Sequence, residues 1–195
     1  VNADGTTSFP QPDKDPICTI GISCYQYGTG QSQMHALCLG DTPENWHASD
    51  DPSNDEYDPS KVVVHSFDLE SEMLEFFAQF IKLYDPDFIS GYNIVNFDSY
   101  YTIQRANIIC RGSALLWGRD DKELKPEKRF SQSKPTGGRE YWDIKIHGRE
   151  WLDLYPIIKM DTKLRSYKLD AVCSHFLNTS KIDISYDDIH ALASE

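Results

Sequence analysis

The densest run of residues able to do chemistry is Ile89-Ser90-Gly91-Tyr92-Asn93-Ile94-Val95-Asn96-Phe97-Asp98. Apolar residues give way to a Gly-Tyr-Asn turn, and a carboxylate follows where a helix should begin. The carboxyl ends of strands in α/β sheets are where ligand-binding groups collect. A plainer reading competes with this one: Asp98 N-caps the next helix, a common use of aspartate.

The elements that must position this run can be read on either side of it. Ile17 to Tyr27 and Met34 to Leu39 read as a hairpin around Gly28-Thr29-Gly30, and Val62 to Phe67 as a third strand. Asp68 to Tyr84 is the clearest helix, with Asp68 as its cap and Glu70 and Glu72 in its first turn. Met73, Phe77, Phe80 and Tyr84 fall on one face, with Leu74 and Ile81 flanking, and Asp85-Pro86 ends it. Phe88 to Asn93 reads as a buried strand. Asp98 to about Cys110 reads as a second helix, with Tyr101 or Ile103, Ala106 and Ile109 inward. Tyr141 to Ile146 and Arg149 to Leu154 read as strands paired across His147-Gly148. A short helix is expected at Pro156, an amphipathic one over Ser166 to Leu177, and a last one from Ser185. Residues 40–60 read as a surface loop. Strands come first and then alternate with helices, which predicts an α/β fold built on a mixed sheet.

Composition narrows the class. With 19 Lys+Arg against 31 Asp+Glu, the net charge of −12 argues against a chain that grips nucleic acid by bulk charge. It leaves open an acidic site where a bound cation carries the positive charge. The 39% apolar and 12% aromatic content is enough for a core and excludes wholesale disorder. No membrane span and no secretory leader can be read. Cys18, Cys24, Cys38, Cys110 and Cys173 show no zinc spacing and mostly sit among apolar residues, which predicts reduced thiols.

Six segments, in order, resemble the exonuclease region of B-family DNA polymerases. Gly91-Tyr92-Asn93-Ile94-x-x-Phe97-Asp98-x-x-Tyr101 resembles the second exonuclease motif of that family. Phe9-Pro10-x-Pro12-x-x-Asp15-Pro16-Ile17 is similar to the segment after the first motif. Asp85-Pro86-Asp87-Phe88-Ile89-Ser90-Gly91-Tyr92-Asn93 looks like the delta-type replicative branch. Ser131 to Glu140 resembles the family's hairpin region, as does Gly148-Arg149-x-x-Leu152-Asp153-Leu154. Lys163 to Val172 matches its Leu-x-Ser-Tyr-x-Leu helix. The resemblance covers essentially the whole chain. It implies an RNase H-like 3′→5′ proofreading exonuclease domain over residues 1–195, truncated at both ends. The implied chemistry is phosphodiester hydrolysis by two Mg²⁺ ions held by carboxylates.

Carried over residue by residue, the resemblance makes Asp98 the metal-binding catalytic aspartate. It makes Asn93 and Phe97 contacts for the terminal nucleotide. Phe97 as a stacking surface competes evenly with Phe97 as a core aromatic. Asn93 as a pocket group competes evenly with Asn93 bonding the turn backbone. The family's Asp-x-Glu first motif is expected just before Val1, with Asn2-x-Asp4 as a degraded alternative, and its third motif past Glu195. Without the first-motif strand, which is central in the family's sheet, neighbouring strands are expected to lack a partner and the isolated chain to be inactive. Asp68-Leu69-Glu70 and Asp121-Lys122-Glu123 read as capping or solvated carboxylates. The implied partners are the single-stranded 3′ primer end, the remaining polymerase domains, and clamp or accessory subunits, with no membrane. The implied location is the nucleus or a viral replication site. Two alternatives stand beside this reading: an inactive exonuclease-like scaffold within a polymerase, and an acidic binding module whose Asp98 is only a cap.

Overall fold

The computed structural model describes residues 9–40, 62–110, 112–133 and 137–179. The expected helix from Ser185 and the Asn2-x-Asp4 sequence lie outside them. Strands β1 (Thr19–Gln26) and β2 (Gln31–Leu39) form an antiparallel hairpin, and β3 (Val62–Phe67) adds parallel to β2. Helix α1 (Glu70–Tyr84) follows, then β4 (Phe88–Gly91), a π-helical turn (Val95–Ser99) and α2 (Tyr100–Ile109). Strands β5 (Pro126–Ser133) and β6 (Gly137–Ile144) pair antiparallel, and β7 (Glu150–Asp153) lies parallel to β4. Helices α3 (Leu154–Asp161) and α4 (Leu169–Leu177) complete the described elements.

The fold is mixed α/β, as expected, but its strands fall into three sheets among the described residues: β1-β2-β3, β4-β7 and β5-β6. The expected pairing across His147-Gly148 does not occur. Tyr141 to Ile144 belong to the β5-β6 hairpin, while β7 leaves to join β4 through the register Gly91↔Asp153. Local turn chemistry cannot distinguish these partners, because Gly148 with φ +78° serves either connection.

The buried face of α1 is rotated from the predicted one. Met73, Leu74, Ala78 and Ile81 are buried, whereas Tyr84 is exposed. Phe76 and Phe80 lean toward β2 and β3, with rings against His65 and His35. Asp68 does not cap this helix: the N-cap is Leu69, with no side-chain bond. Asp85 ends it in a left-handed conformation, φ 52°. Strand β4 is only half-buried, with Phe88 outward, because one of its faces meets solvent. The core joins Leu74, Ala78 and Ile81 to Ile103, Ala106, Leu115, Trp117, Leu124, Ile144 and Ile146. Trp117 is enclosed edge-on between Phe77 and Trp151, and its indole N–H is satisfied by the Ala114 carbonyl at 2.8 Å. Truncating a tryptophan held this way costs about 3–5 kcal/mol.

Two arginines fix the junction between α1 and β4. Arg149 is buried and donates to the carbonyls of Trp117 and Pro86 and to the Asp85 carboxylate. Arg119 spans Asp85 and Asp87 at 2.8 Å each. These contacts hold the Asp85 carboxyl below the usual carboxylate range. A second buried pair joins α1 to α2. Arg105 forks onto Glu70 at 2.7–3.0 Å, and Glu70 also accepts the Ile17 N–H at 2.8 Å. Glu70 is therefore an enclosed structural anion, not a solvated or capping group. Asp121 is the exposed carboxylate it was expected to be, paired loosely with Lys82. All five cysteines are free thiols. No described helix is long and apolar enough to cross a membrane.

Candidate functional site

β4 and β7 run side by side and end level, at Gly91 and Asp153. Beyond β4 the chain turns through Asn93, whose φ of +60° is left-handed. Asparagine tolerates this conformation better than most residues. Gly91 is required by space: a Cβ there would meet Ile94 Cδ1 at 2.8 Å and Ile94 Cβ at 2.9 Å. The backbone then winds into the π-turn, closed by Ser99 N–H to the Ile94 carbonyl at 2.8 Å and Phe97 N–H to the Asn93 carbonyl at 3.2 Å. Single π-turns of this kind are found frequently at functional sites.

Asp98 sits within that turn, with its residue surface exposed. It does not cap α2. The N-cap is Ser99, no side-chain cap bond is present, and the Asp98 carbonyl accepts from Thr102 Oγ1 at 2.7 Å. Partial burial first, then the charge of Asp153, pushes the Asp98 carboxyl above its ordinary value, while its own backbone N–H opposes them. The Asp153 charge is thus close enough to be felt at Asp98, and a bound cation would offset it.

Asp153 is nearly buried. One oxygen accepts from Asn93 N–H at 2.8 Å and Tyr155 N–H at 3.1 Å; the other accepts from Val95 N–H at 3.3 Å. The sequence reading placed Asp153 inside a motif but gave it no task. The signal was an Asp directly before a short helix opened by a proline, since Pro156 fits a first helical turn.

Asn93 contributes its backbone to this turn and also lines an open groove of about 530 Å³ with Asn96, Lys128, Glu140, Tyr141, Trp142 and Tyr155. The bonds Asn93 makes in the turn are those of its main chain, N–H to Asp153 and carbonyl from Phe97 N–H. The groove wall is tied to the π-turn. Asn96 Oδ1 accepts the Trp142 N–H at 3.1 Å, and the Trp142 ring stacks on Tyr100 at 4.3 Å. Phe97 is part-exposed, 40%, and meets the still more exposed Phe9 edge-on at 5.3 Å. It is therefore not a core aromatic. Tyr101 donates to the Asp15 carbonyl at 2.8 Å. Burial, then the Asp15 charge, pushes its hydroxyl up to about 12, so it stays a donor.

Asp98 fits a hard divalent cation as one oxygen ligand. Both oxygens of Asp153 already accept backbone N–H groups, so it holds the turn beside Asp98. Among the described residues no cluster of three or more His, Cys, Asp or Glu could hold a metal.

The decisive comparison is with protein families. Residues 2–172 match the family described as DNA polymerase family B, exonuclease domain. The chain belongs to this family. It is 35% identical over 186 residues, 93% of its length, to the DNA polymerase delta catalytic subunit of Schizosaccharomyces pombe. It is 33% identical to the protein of that name from Bos taurus over 187 residues, again 93% of the chain. DNA polymerase 037L of Invertebrate iridescent virus 6 is 31% identical over 186 residues, 93% of the chain. These matches span 16%, 15% and 14% of the three relatives' own lengths. The delta-type resemblance read from Asp85 to Asn93 agrees with the first two.

Proposed function

We propose that residues 1–195 are part of the 3′→5′ proofreading exonuclease domain of a replicative DNA polymerase, with an RNase H-like core. The observation that carries this reading is the part-buried Asp98 carboxylate, set on a π-turn beyond a parallel strand pair, with the same turn bordering a polar groove. Asp98 would hold one of two Mg²⁺ ions, which in such sites activate water and stabilise the leaving 3′ oxygen. Asn93 borders the groove and would meet the terminal nucleotide of a single-stranded primer end. Phe97, part-exposed beside Phe9, offers that nucleotide an aromatic face, a contact worth about 1–3 kcal/mol per base.

The net charge of −12 supports a division of labour in which other domains of the polymerase supply the basic track for duplex DNA. Clamp or accessory subunits would act through those domains, in the nucleus or at a viral replication site. The test is Asp98→Ala in the full-length polymerase, assayed for removal of a mismatched 3′ nucleotide and for primer extension. Loss of removal with extension intact is expected. Retained removal would exclude Asp98 as a ligand. No removal in the unmodified protein, with normal extension, would identify a scaffold that has lost proofreading.

A further inference from the structure

The backbone before Asp98 has orphan donors, as every helix start does. Neither Ile94, the N-cap of the π-turn, nor Ser99, the N-cap of α2, provides a side-chain cap. The N–H groups of Asn93 and Val95 are instead collected by Asp153, from a strand 58–60 residues away in sequence. The capping task considered for Asp98 thus belongs to a different aspartate.

We propose that Asp153 is a positioning residue for the exonuclease reaction, holding the Asn93–Val95 turn so that Asp98 is free and correctly aimed. This rests on the exonuclease reading given above. Three features support it. Asp153 is nearly buried, 8% exposed, so its bonds are not traded freely for water. Its contacts reach across the β4-β7 pair, at the register point where both strands end. They also seat Asn93, whose left-handed backbone needs a partner to hold it. Capping α3 takes only the Tyr155 N–H, on one oxygen. The bonds to Asn93 and Val95 are additional to that cap. Both oxygens hold backbone N–H groups of the turn or of α3, which assigns Asp153 the task of positioning Asp98, and the variants below separate that task from metal ligation.

The arrangement separates two roles by substitution. Asp153→Ser keeps a good N-cap for α3 but is too short to reach Asn93 and Val95. Asp153→Asn keeps the shape and turns an amide N–H₂ toward a backbone donor. Both variants are made in the full-length polymerase, beside Asp98→Ala, and assayed with Mg²⁺ on a single-stranded 3′ end. Expected is a fall in exonuclease kcat of about 10–100-fold, the usual effect of losing a group that orients a ligand. The Mg²⁺ concentration for half-maximal rate should rise, with KM for the strand, primer extension and thermal midpoint near wild type.

Asp153→Ser within about twofold of wild type, while Asp98→Ala is dead, would overturn the proposal and leave α3 capping as its role. A loss as complete as that of Asp98→Ala, unrelieved by excess Mg²⁺, would make Asp153 a ligand and equally overturn it. So would a loss that tracks a collapse of the thermal midpoint in both variants. If Asp98→Ala itself keeps nuclease activity, the exonuclease reading fails and this proposal falls with it.

Discussion

Removing Arg105 tests the packing that carries the candidate site. Its guanidinium donates to Glu70 at 2.7, 2.9 and 3.0 Å and to the Pro12 carbonyl at 3.1 Å. The two side chains are 11% and 8% exposed, so water cannot replace these bonds. The tight fork also holds the Arg105 charge more firmly than usual, raising its pKa through the Glu70 hydrogen bonds. Arg105→Met leaves the Glu70 carboxylate with the Ile17 N–H and no countercharge. Stranding one member of a buried pair costs about 3–5 kcal/mol. At roughly 2–4 °C per kcal/mol for a chain of this size, the thermal midpoint should fall by roughly 6–20 °C. Glu70→Leu added to Arg105→Met removes the stranded charge and leaves the Ile17 N–H without its acceptor, a cost of about 1–3 kcal/mol. The double variant should therefore be more stable than the single one. Denaturant titration followed through the fluorescence of buried Trp117 measures both. A single variant within 1 kcal/mol of wild type (about the net worth of one ordinary hydrogen bond) would refute the reasoning. So would a double variant less stable than the single.

Two further outcomes are expected. If the proposed function holds, Gly91→Ala should damage exonuclease activity more than stability, because a contact at 2.8–2.9 Å to Ile94 can be relieved only by moving the turn that carries Asp98. Overpacking of this kind costs about 1–3 kcal/mol, and unchanged nuclease activity in the variant would show that the turn adapts. Acidification should also weaken the β2-β3-α1 region. Burial, and then the charge of His65 at 3.3 Å, lower the His35 pKa below its ordinary value. The unfolded chain therefore takes up a proton first as pH falls through about 6.5. Stability from this group is present above that value and lost below it, so the denaturation midpoint should drop between pH 7.5 and 5.5. The drop should be shallower in His35→Gln, and an equal slope in the two proteins would remove His35 as the cause.

Much of the local structure was legible because it depends on neighbours in sequence. The hairpin over Thr19–Leu39, α1 with its stop at Asp85-Pro86, and the turn before Asp98 all follow from periodicity and turn residues. What depended on distant partners was not. The face of α1 is set by what it packs on, so the inward residues were shifted toward Leu74 and Ala78. Glu70 looked like an ordinary first-turn acid until Arg105, 35 residues on, enclosed it. Likewise β7 reads locally as a hairpin arm, and only the parallel pairing with β4 takes it elsewhere.

The same division runs through the candidate site. Asp98, Asn93 and Phe97 stand in one contiguous motif and could be singled out from it as candidates. Asp153 was not, because its partners at Asn93 and Val95 are close only in space. Its neighbours in sequence advertise a helix cap, and that is one of its bonds. Nothing in the local pattern signals the other two.

The proposed function makes Asp98 part of a metal-dependent proofreading site. The most direct test is a nuclease assay on the full-length protein, using a primer with a mismatched 3′ end, first with Mg²⁺ and then with EDTA. The account predicts removal of the terminal nucleotide with Mg²⁺ and none with EDTA. Removal that persists in EDTA, or normal extension with no removal under either condition, would contradict it.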